Sequence, residues 1–210
     1  MAALKTLGDV RRRYGLAAAT RLAAGLTLAK AGVRLIEVVR LPPVEGPPVP
    51  EGLEARFLTA DEVRAFALDP ANDFDAGAAA RVEAGGRCFG VLDGGRLAAS
   101  GWYAVGKAPA EHCFGFGMRL PAGAAYMYKG FTHADYRGRR LHGLVMAEAL
   151  RQMADVGCLV STVEWTNAAS IKSCRRLGYE FLGRVWVRGG RVLRAAGGVR
   201  RAGVEAVDGA

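Results

Sequence analysis

The sequence predicts a mixed α/β domain, in which strands and helices follow one another along the chain. The β-prone run 125–132 leads through a short basic loop into a helical pattern, and the apolar run 158–164 leads into another helix. A third observation is the tripeptide Asp93-Gly94-Gly95, a strong signal for a tight turn between two strands. Together these patterns indicate a sheet that combines hairpins with helix-linked strands.

The remaining elements can be assigned in chain order. Thr59-Ala60-Asp61-Glu62 has the form of a capping box and predicts the start of a helix. The run 33–41 is compatible with either a strand or a helix end. Further helices are predicted over 9–32, 139–156 and 168–177, and strands over 53–58, 87–92, 96–105, 112–120, 126–133, 158–164 and 179–188, with one more pairing near 192–193.

A proline-rich segment divides the chain. Five prolines fall within the nine residues 42–50 and favour a stiff, extended conformation. We therefore predict an N-terminal helix and short strand over 1–42, a linker over 43–52 and the main domain over 53–195. The Gly-, Ala- and Arg-rich tail 196–210 is predicted to be disordered.

Composition bounds the functional classes. The 210 residues suit one domain, and the formal net charge of +9 suggests an anionic partner or ligand. The four cysteines form no C-x-x-C pair, so we expect neither a disulfide framework nor a metal site. No recognised nucleic-acid motif accompanies the positive charge, which makes nucleic acid an unfavoured partner.

The basic loop between the run 125–132 and the following helix has the chemistry of a phosphate site. The first N–H groups of a helix have no internal partners, and the helix dipole favours an anion there. The loop Tyr136-Arg137-Gly138-Arg139-Arg140 adds three guanidinium groups to those donors. The alternative is an ordinary strand–helix turn with solvated arginines.

The helix after the run 158–164 carries a second motif, which runs from Asn167 through Ser170 to Gly178-Tyr179. Together with the basic loop that begins near Arg137, this motif resembles the GNAT superfamily of acyl-CoA-dependent N-acyltransferases. The family's phosphate loop reads R/Q-x-x-G-x-G/A, and its next strand–helix unit carries N-x-x-[AS]-x-x-x-Y-x-K-x-G-F. The residues at matching positions are Arg137, Asn167, Ser170, Arg176, Gly178 and Tyr179. The resemblance implies a mostly antiparallel central sheet with splayed middle strands and flanking helices.

The resemblance also implies where acetyl-CoA binds. A backbone N–H near 131–133 is expected to contact the thioester oxygen, while the loop holds the pyrophosphate and Asn167 contacts the pantetheine region or only caps its helix. The implied cofactor-binding residues are Phe131, Thr132, His133, Arg137, Gly138, Arg139, Arg140, Leu141, His142, Asn167 and Ser170. Two of them depart from the pattern, because Arg140 and His142 replace small residues that let the backbone approach the phosphates. The loss of these small residues is compatible with either a slightly displaced cofactor or arginine side chains that replace some of the backbone contacts.

Three side chains are candidates for proton transfer. Glu164 ends a predicted strand and could take the proton from the amine, and His133 is the other candidate base. Cys174 replaces the tyrosine that the family is proposed to use as the acid for the departing thiolate, although it could equally be a packing residue. Tyr126 and Tyr128 share one face of a strand, where they line the acceptor pocket or pack in the core.

The resemblance thus implies an N-acetyltransferase that transfers an acetyl group to the primary amine of a small molecule, an amino-sugar being one candidate, by direct attack in a ternary complex. A non-catalytic acyl-CoA-binding module and a protein N-acetyltransferase are the alternatives. A cytoplasmic location is expected, with the N-terminal helix either packed on the domain or a dimer partner, or lying on an anionic membrane face.

Overall fold

A computed structural model describes residues 7–209 of the chain. The helices are α1 (Leu7–Tyr14), α2 (Leu16–Lys30), α3 (Ala60–Phe66), α4 (Ala78–Glu83), α5 (Leu141–Gln152), α6 (Ala168–Arg176) and α7 (Gly197–Arg201), with 3-10 turns at Pro70–Asn72, Ala110–His112 and Ala134–Tyr136. The strands are β1 (Val33–Leu41), β2 (Leu53–Phe57), β3 (Arg87–Asp93), β4 (Arg96–Val105), β5 (Lys107–Ala108), β6 (Gly117–Arg119), β7 (Ala124–Thr132), β8 (Cys158–Glu164), β9 (Glu180–Arg188), β10 (Arg191–Ala195) and β11 (Glu205–Val207).

The chain forms two compact units. The first contains residues 7–41, 108–121 and 161–209, and the second contains 42–107 and 122–160.

The second unit is built on the antiparallel strand order β7-β4-β3-β2. Helix α5 packs against this sheet, and its Leu144 and Met146 are almost completely buried, as is Tyr103 of β4. The Tyr103 hydroxyl donates a hydrogen bond of 3.1 Å to the carbonyl of Val145 in α5. This bond joins the helix to the sheet and satisfies a buried hydroxyl group.

Two local signals in this unit are confirmed. Gly94 and Gly95 have φ values of 53° and 83°, the left-handed backbone that a tight hairpin turn between β3 and β4 requires. The side chain of Thr59 accepts a hydrogen bond from the N–H of Glu62 at the start of α3, while Glu62 accepts one from the N–H of Thr59. The capping box therefore satisfies two N–H groups that the helix leaves unpaired.

Strand β7 also pairs with the start of β8, in parallel. The pairing covers three residue pairs only, from Ala124 with Cys158 to Tyr126 with Val160. A pairing that ends after three residue pairs agrees with the prediction that the two middle strands diverge. The fold is mixed α/β, with a mostly antiparallel sheet flanked by helices, as the sequence predicted.

The first unit contains the strand order β10-β9-β1, and β1 also neighbours β8. Five consecutive residues of β1, from Leu35 to Val39, are buried, which shows that both faces of this strand are covered. Helices α1 and α2 contribute Val10, Ala18 and Ala19 to a small apolar cluster with Ala168 of α6. None of the described helices is long and apolar enough to cross a membrane.

Several elements differ from the sequence-based expectation. The helix expected over 9–32 is broken at Gly15, whose φ of 86° lies outside the helical region. The strand expected over 112–120 is reduced to β6, because a 3-10 turn and the positive φ of Phe114 interrupt it.

The segments at the two ends of the chain also differ from what was expected of them. The segment 1–42 was expected to stand apart from the main domain, yet its strand β1 pairs with β9 from Val33 to Arg40. The tail 196–210 was expected to be disordered, yet it forms α7 and β11. Residues 1–6 and 210, to which these two predictions extend, lie outside the described part of the chain.

Candidate functional site

The loop between β7 and α5 has a backbone suited to an anion. Gly138 and Arg140 have φ values of 85° and 61°, so the chain turns sharply into the helix. The Arg140 side chain makes no capping hydrogen bond, and the N–H groups of Leu141 and His142 donate to no acceptor within residues 7–209. The first turn of this twelve-residue helix therefore presents unused donors at its positive end.

The arginine side chains of the loop are exposed. Arg137 and Arg140 form no ion pair with any carboxylate in the described chain, and the Arg139 guanidinium lies 5.1 Å from the ring centre of Tyr136. Tyr136 is held in turn by a 2.8 Å hydrogen bond from its hydroxyl to Asp93. These cationic groups have no internal charge to neutralise them, which suits binding of phosphate.

The two departures from the family pattern have different structural consequences. Arg140 adopts the left-handed conformation that glycine adopts without strain, so the backbone turn is kept despite the side chain. His142 lies against Gly130 of β7, where an added Cβ would be only 2.5 Å from the Cε1 atom of the imidazole. Burial lowers the pKa of His142, so the ring is neutral near pH 7 and adds no charge to the loop.

A β-bulge in β7 is a feature that sequence reasoning missed. Tyr128 pairs with Trp102 and Phe131 with Ser100, so that Lys129 and Gly130 together face one residue of β4. Lys129 has a φ of 47°, and a bulge of this kind leaves backbone groups outside the ladder. The glycine within a strand-like run was the available signal.

The bulge bears on the backbone N–H expected near 131–133 to contact the thioester. The His133 N–H already donates to the carbonyl of Ala98 at 2.9 Å, and Phe131 and Thr132 pair with Ser100 and Ala99. The unpaired part of the strand thus lies at Lys129 and Gly130, just before the expected range.

The imidazole of His133 is buried among neighbours. The Arg96 guanidinium lies 3.4 Å from its Nε2 atom, and the backbone N–H of Asp135 donates to its Nδ1 atom at 3.4 Å. The His133 residue is 8% exposed. Both nitrogen atoms are therefore occupied by the loop and by β4, a geometry that favours a structural role over proton transfer.

The two tyrosines expected to line an acceptor pocket are part of an aromatic stack. Tyr126 and Tyr128 lie 5.9 Å apart between ring centres, and Trp102 lies 6.3 Å from Tyr128. All three are almost completely buried. The rings therefore form part of the packed interior of the second unit, in line with the core-packing alternative.

An ion cluster that the sequence did not reveal joins this stack. Asp75 accepts hydrogen bonds from Arg81 at 2.9 Å and from Lys129 at 2.6 Å, and these two cations hold the pKa of its carboxyl far below the usual range. The Arg81 guanidinium in turn lies 4.8 Å from the ring centre of Trp102. The cluster ties the loop before α4 to the β7 bulge.

The second motif of the resemblance lies in the first unit. Asn167 accepts a hydrogen bond of 3.1 Å from the N–H of Ser170 and so caps α6, as predicted. Cys174 lies in α6 and is half-buried, and burial raises the pKa of its thiol to about 11. A thiol with that pKa gives up its proton less readily than an ordinary thiol with a pKa of about 8.5, so Cys174 is a poor acid for a departing thiolate.

Glu164, the candidate base, ends β8 in the first unit. Its Oε1 atom accepts hydrogen bonds of 3.2 Å from both Nε and Nη2 of Arg34 in β1. The Arg34 guanidinium also lies 4.7 Å from the ring centre of Phe114, so it is held in place from two sides. The carboxylate is partly exposed and thus reachable from solvent. Among residues 7–209, no group of three His, Cys, Asp or Glu side chains is arranged to hold a metal ion.

Comparison with known proteins identifies the fold. No protein-family model matches the sequence, and no curated protein matches it. The structure is similar to a GCN5-related N-acetyltransferase from Kribbella flavida, with a TM-score of 0.50 and 18% identity over 76% of this chain and 60% of the other. It is also similar to a GCN5-related N-acetyltransferase-like protein from Streptococcus suis, with a TM-score of 0.50 and 15% identity over 77% of this chain and 65% of the other. The chain therefore has the GNAT fold, and it covers a little under two thirds of the length of these two proteins.

Proposed function

We propose that this chain is an N-acetyltransferase that transfers an acetyl group from acetyl-CoA to the primary amine of a small molecule. The observation that carries the proposal is the start of α5, where the N–H groups of Leu141 and His142 are unused next to unpaired arginines. This is the donor set that a pyrophosphate requires. The GNAT fold provides the second support.

The residues of the β7–α5 loop fit the phosphates of acetyl-CoA. Arg137 and Arg140 carry exposed guanidinium groups with no carboxylate partner among the described residues, and Gly138 has no side chain to obstruct a ligand. In the proposed complex the N–H groups of α5 and these two arginines hold the pyrophosphate. Asn167 and Ser170 are engaged as a helix cap, so we assign them a supporting role in α6.

The proposed chemistry is direct attack by a neutral amine within a ternary complex. When bound, acetyl-CoA supplies a thioester whose acyl carbon accepts the amine. Glu164 is the proposed base, because it is a partly exposed carboxylate at the end of a strand and is oriented by Arg34. We assign the proton on the departing thiolate to solvent rather than to Cys174, whose thiol has a raised pKa.

An amino-sugar is the acceptor class we propose, together with a cytoplasmic location near an anionic membrane face. The support for the location is the basic run of α1, in which Arg11, Arg12 and Arg13 are exposed. The amino-sugar follows from that location, as an acceptor that polysaccharide synthesis at such a face would provide. Val10, Ala18 and Ala19 of these helices pack with Ala168 of α6, whereas Leu7, Leu16 and Leu26 are exposed. We propose that the arginines provide the main attraction to lipid. Binding to vesicles with anionic lipid that disappears in moderate salt is the expected result, and salt-insensitive binding would contradict it.

The first test is calorimetric titration of the protein with acetyl-CoA. We expect the Arg137→Ala substitution to weaken binding by about tenfold or more, because it removes a charge-assisted contact to phosphate. Arg191→Ala is the matched control, because Arg191 is also exposed and unpaired but lies on β10. Equal affinities of both variants for acetyl-CoA would contradict the proposed phosphate site.

A second experiment separates the enzyme from a non-catalytic acyl-CoA-binding module. Release of free CoA thiol is followed in the presence of a panel of amino-sugars and other primary amines. Turnover that is lost in Glu164→Gln, with acetyl-CoA affinity retained, supports the enzyme and its base. Binding without turnover on any amine supports the module, and turnover on peptides alone supports a protein N-acetyltransferase.

A further inference from the structure

A cationic cavity lies in the first unit and shares no lining residue with the β7–α5 loop. It has a volume of about 540 Å³ and is bounded by the sheet face of β9 and by the helices α2 and α6. Ile171, Phe181 and Trp186 give it an apolar wall. Cavities of this size hold small molecules in other proteins.

The charges around this cavity are unbalanced. Four arginines and one carboxylate line it: Arg21, Arg175, Arg184, Arg194 and Glu37. Glu37 is 6% exposed and accepts a 2.7 Å hydrogen bond from Nε of Arg184. The only lining carboxylate is thus already neutralised, and three guanidinium charges remain without an ion-pair partner in the described chain.

Two of the guanidinium groups are held in place by aromatic rings. The Arg175 guanidinium lies 5.5 Å from the ring centre of Phe181, and that of Arg184 lies 5.2 Å from the ring centre of Trp165. A guanidinium on a ring face still has N–H groups along its edge, and fixing it beforehand lowers the entropy lost when it binds an anion. Arg184 is fixed further by Glu37.

We propose that this cavity binds a small phosphate-bearing ligand, such as a phosphate ester or a pyrophosphate. Several guanidinium groups that converge without an anion repel one another, and a ligand with two or more negative charges would remove that repulsion. The concave shape favours a small ligand, since single-stranded nucleic acid requires an extended groove with aromatic platforms along it. The proposal does not depend on acetyltransferase activity.

The test must separate this cavity from the phosphate loop, because both would attract the same chemical group. Inorganic pyrophosphate is titrated calorimetrically into the full chain carrying Arg137→Ala, at about 0.15 M salt to screen weak surface attraction. Arg175→Gln and Arg194→Gln are then added separately to that background. Arg191→Gln is the charge-matched control, because it also removes one exposed arginine but lies outside the cavity.

We expect pyrophosphate to bind the Arg137→Ala protein, and each cavity substitution to weaken that binding by about tenfold, as loss of a charge-assisted contact does. The Arg191→Gln control should change the affinity by less than about twofold. Absence of binding in the Arg137→Ala protein would overturn the proposal, as would equal losses in cavity and control variants. Saturable binding of a single-stranded oligonucleotide without any binding of pyrophosphate would likewise refute it.

Acetyl-CoA turnover of the Arg175→Gln and Arg194→Gln proteins, with the loop intact, is measured alongside. That assay reports on the proposed acetyltransferase, whereas the pyrophosphate titration reports on the cavity. Failure of one proposal is thus distinguishable from failure of the other.

Discussion

We expect replacement of Gly130 by alanine to destabilise the second unit and to weaken acetyl-CoA binding. A Cβ atom at position 130 would lie 2.5 Å from Cε1 and 3.0 Å from Nδ1 of His142. Ordinary contacts between carbon atoms are about 3.5–4 Å, so the imidazole or the start of α5 would have to move by about 1 Å. The substitution therefore acts on the helix end where we place the phosphates.

The size of the effect follows from the crowding. Inserting one methyl group into a packed site costs about 1–3 kcal/mol of unfolding free energy. The His142→Ala substitution alone removes a largely buried ring and should cost about 1 kcal/mol. In the double variant the clash with the imidazole is removed, and only the flexible end of Met127, 2.9 Å from the new Cβ atom, still has to move. We therefore expect a favourable coupling of about 1 kcal/mol.

Urea denaturation of the two single variants and the double variant measures the coupling, and calorimetry with acetyl-CoA measures the effect on the loop. Gly157→Ala is the matched control, because a Cβ there meets its nearest neighbour, the carbonyl of Gly123, at an ordinary 3.7 Å. Additive effects of Gly130→Ala and His142→Ala would refute the reasoning. So would a Gly157→Ala protein as unstable as the Gly130→Ala protein.

Three further predictions concern single groups. Arg140→Gly should raise the unfolding free energy by about 1 kcal/mol, because glycine adopts the φ of 61° without strain; an unchanged or lower urea midpoint would contradict this. The hydrogen bond from Arg56 holds the pKa of Glu62 at about 2 in the folded state, below its ordinary value of 4.5. The stability that the Glu62 carboxylate contributes is therefore present above pH 4.5 and lost as the pH falls towards about 2. Thermal unfolding of wild type and Glu62→Gln across that range should therefore converge at low pH, and parallel curves would exclude this role. Cys174→Ala should retain most of the acetyltransferase rate at neutral pH, and a hundredfold loss of kcat without loss of acetyl-CoA binding would show that the thiol takes part.

Sequence reasoning succeeded where the cause of a structure is local. The Asp93-Gly94-Gly95 turn, the Thr59 capping box and the Asn167 cap each depend on side chains or backbone angles within four residues of one another. Glycine supplies the positive φ, and short oxygen-bearing side chains satisfy the first N–H groups of a helix. Such rules do not depend on the rest of the chain.

It failed where the cause lies far away in the sequence. Strand β1 pairs with β9 across about 150 residues, and nothing within 33–41 specifies that partner. The charged residues Arg34, Glu37 and Arg40 conceal the burial of β1 in the sequence, and the proline-rich run at 42–50 gave the more visible signal. The ion pair between Asp75 and Lys129, 54 positions apart, was hidden for the same reason.

The candidate site combines both situations. The basic loop was visible in sequence, but the effect of its two departures was not, because each is resolved by a different part of the chain. Arg140 keeps the turn through its own backbone conformation, whereas His142 fits because the strand opposite has a glycine at position 130. The motif has a small residue at position 142 of the helix, whereas this chain has a small residue at position 130 of the facing strand. The space beside the start of α5 is therefore preserved although the motif itself is not. Titration of the Gly130→Ala, His142→Ala and double variants with acetyl-CoA therefore measures whether this space is needed at the proposed phosphate site.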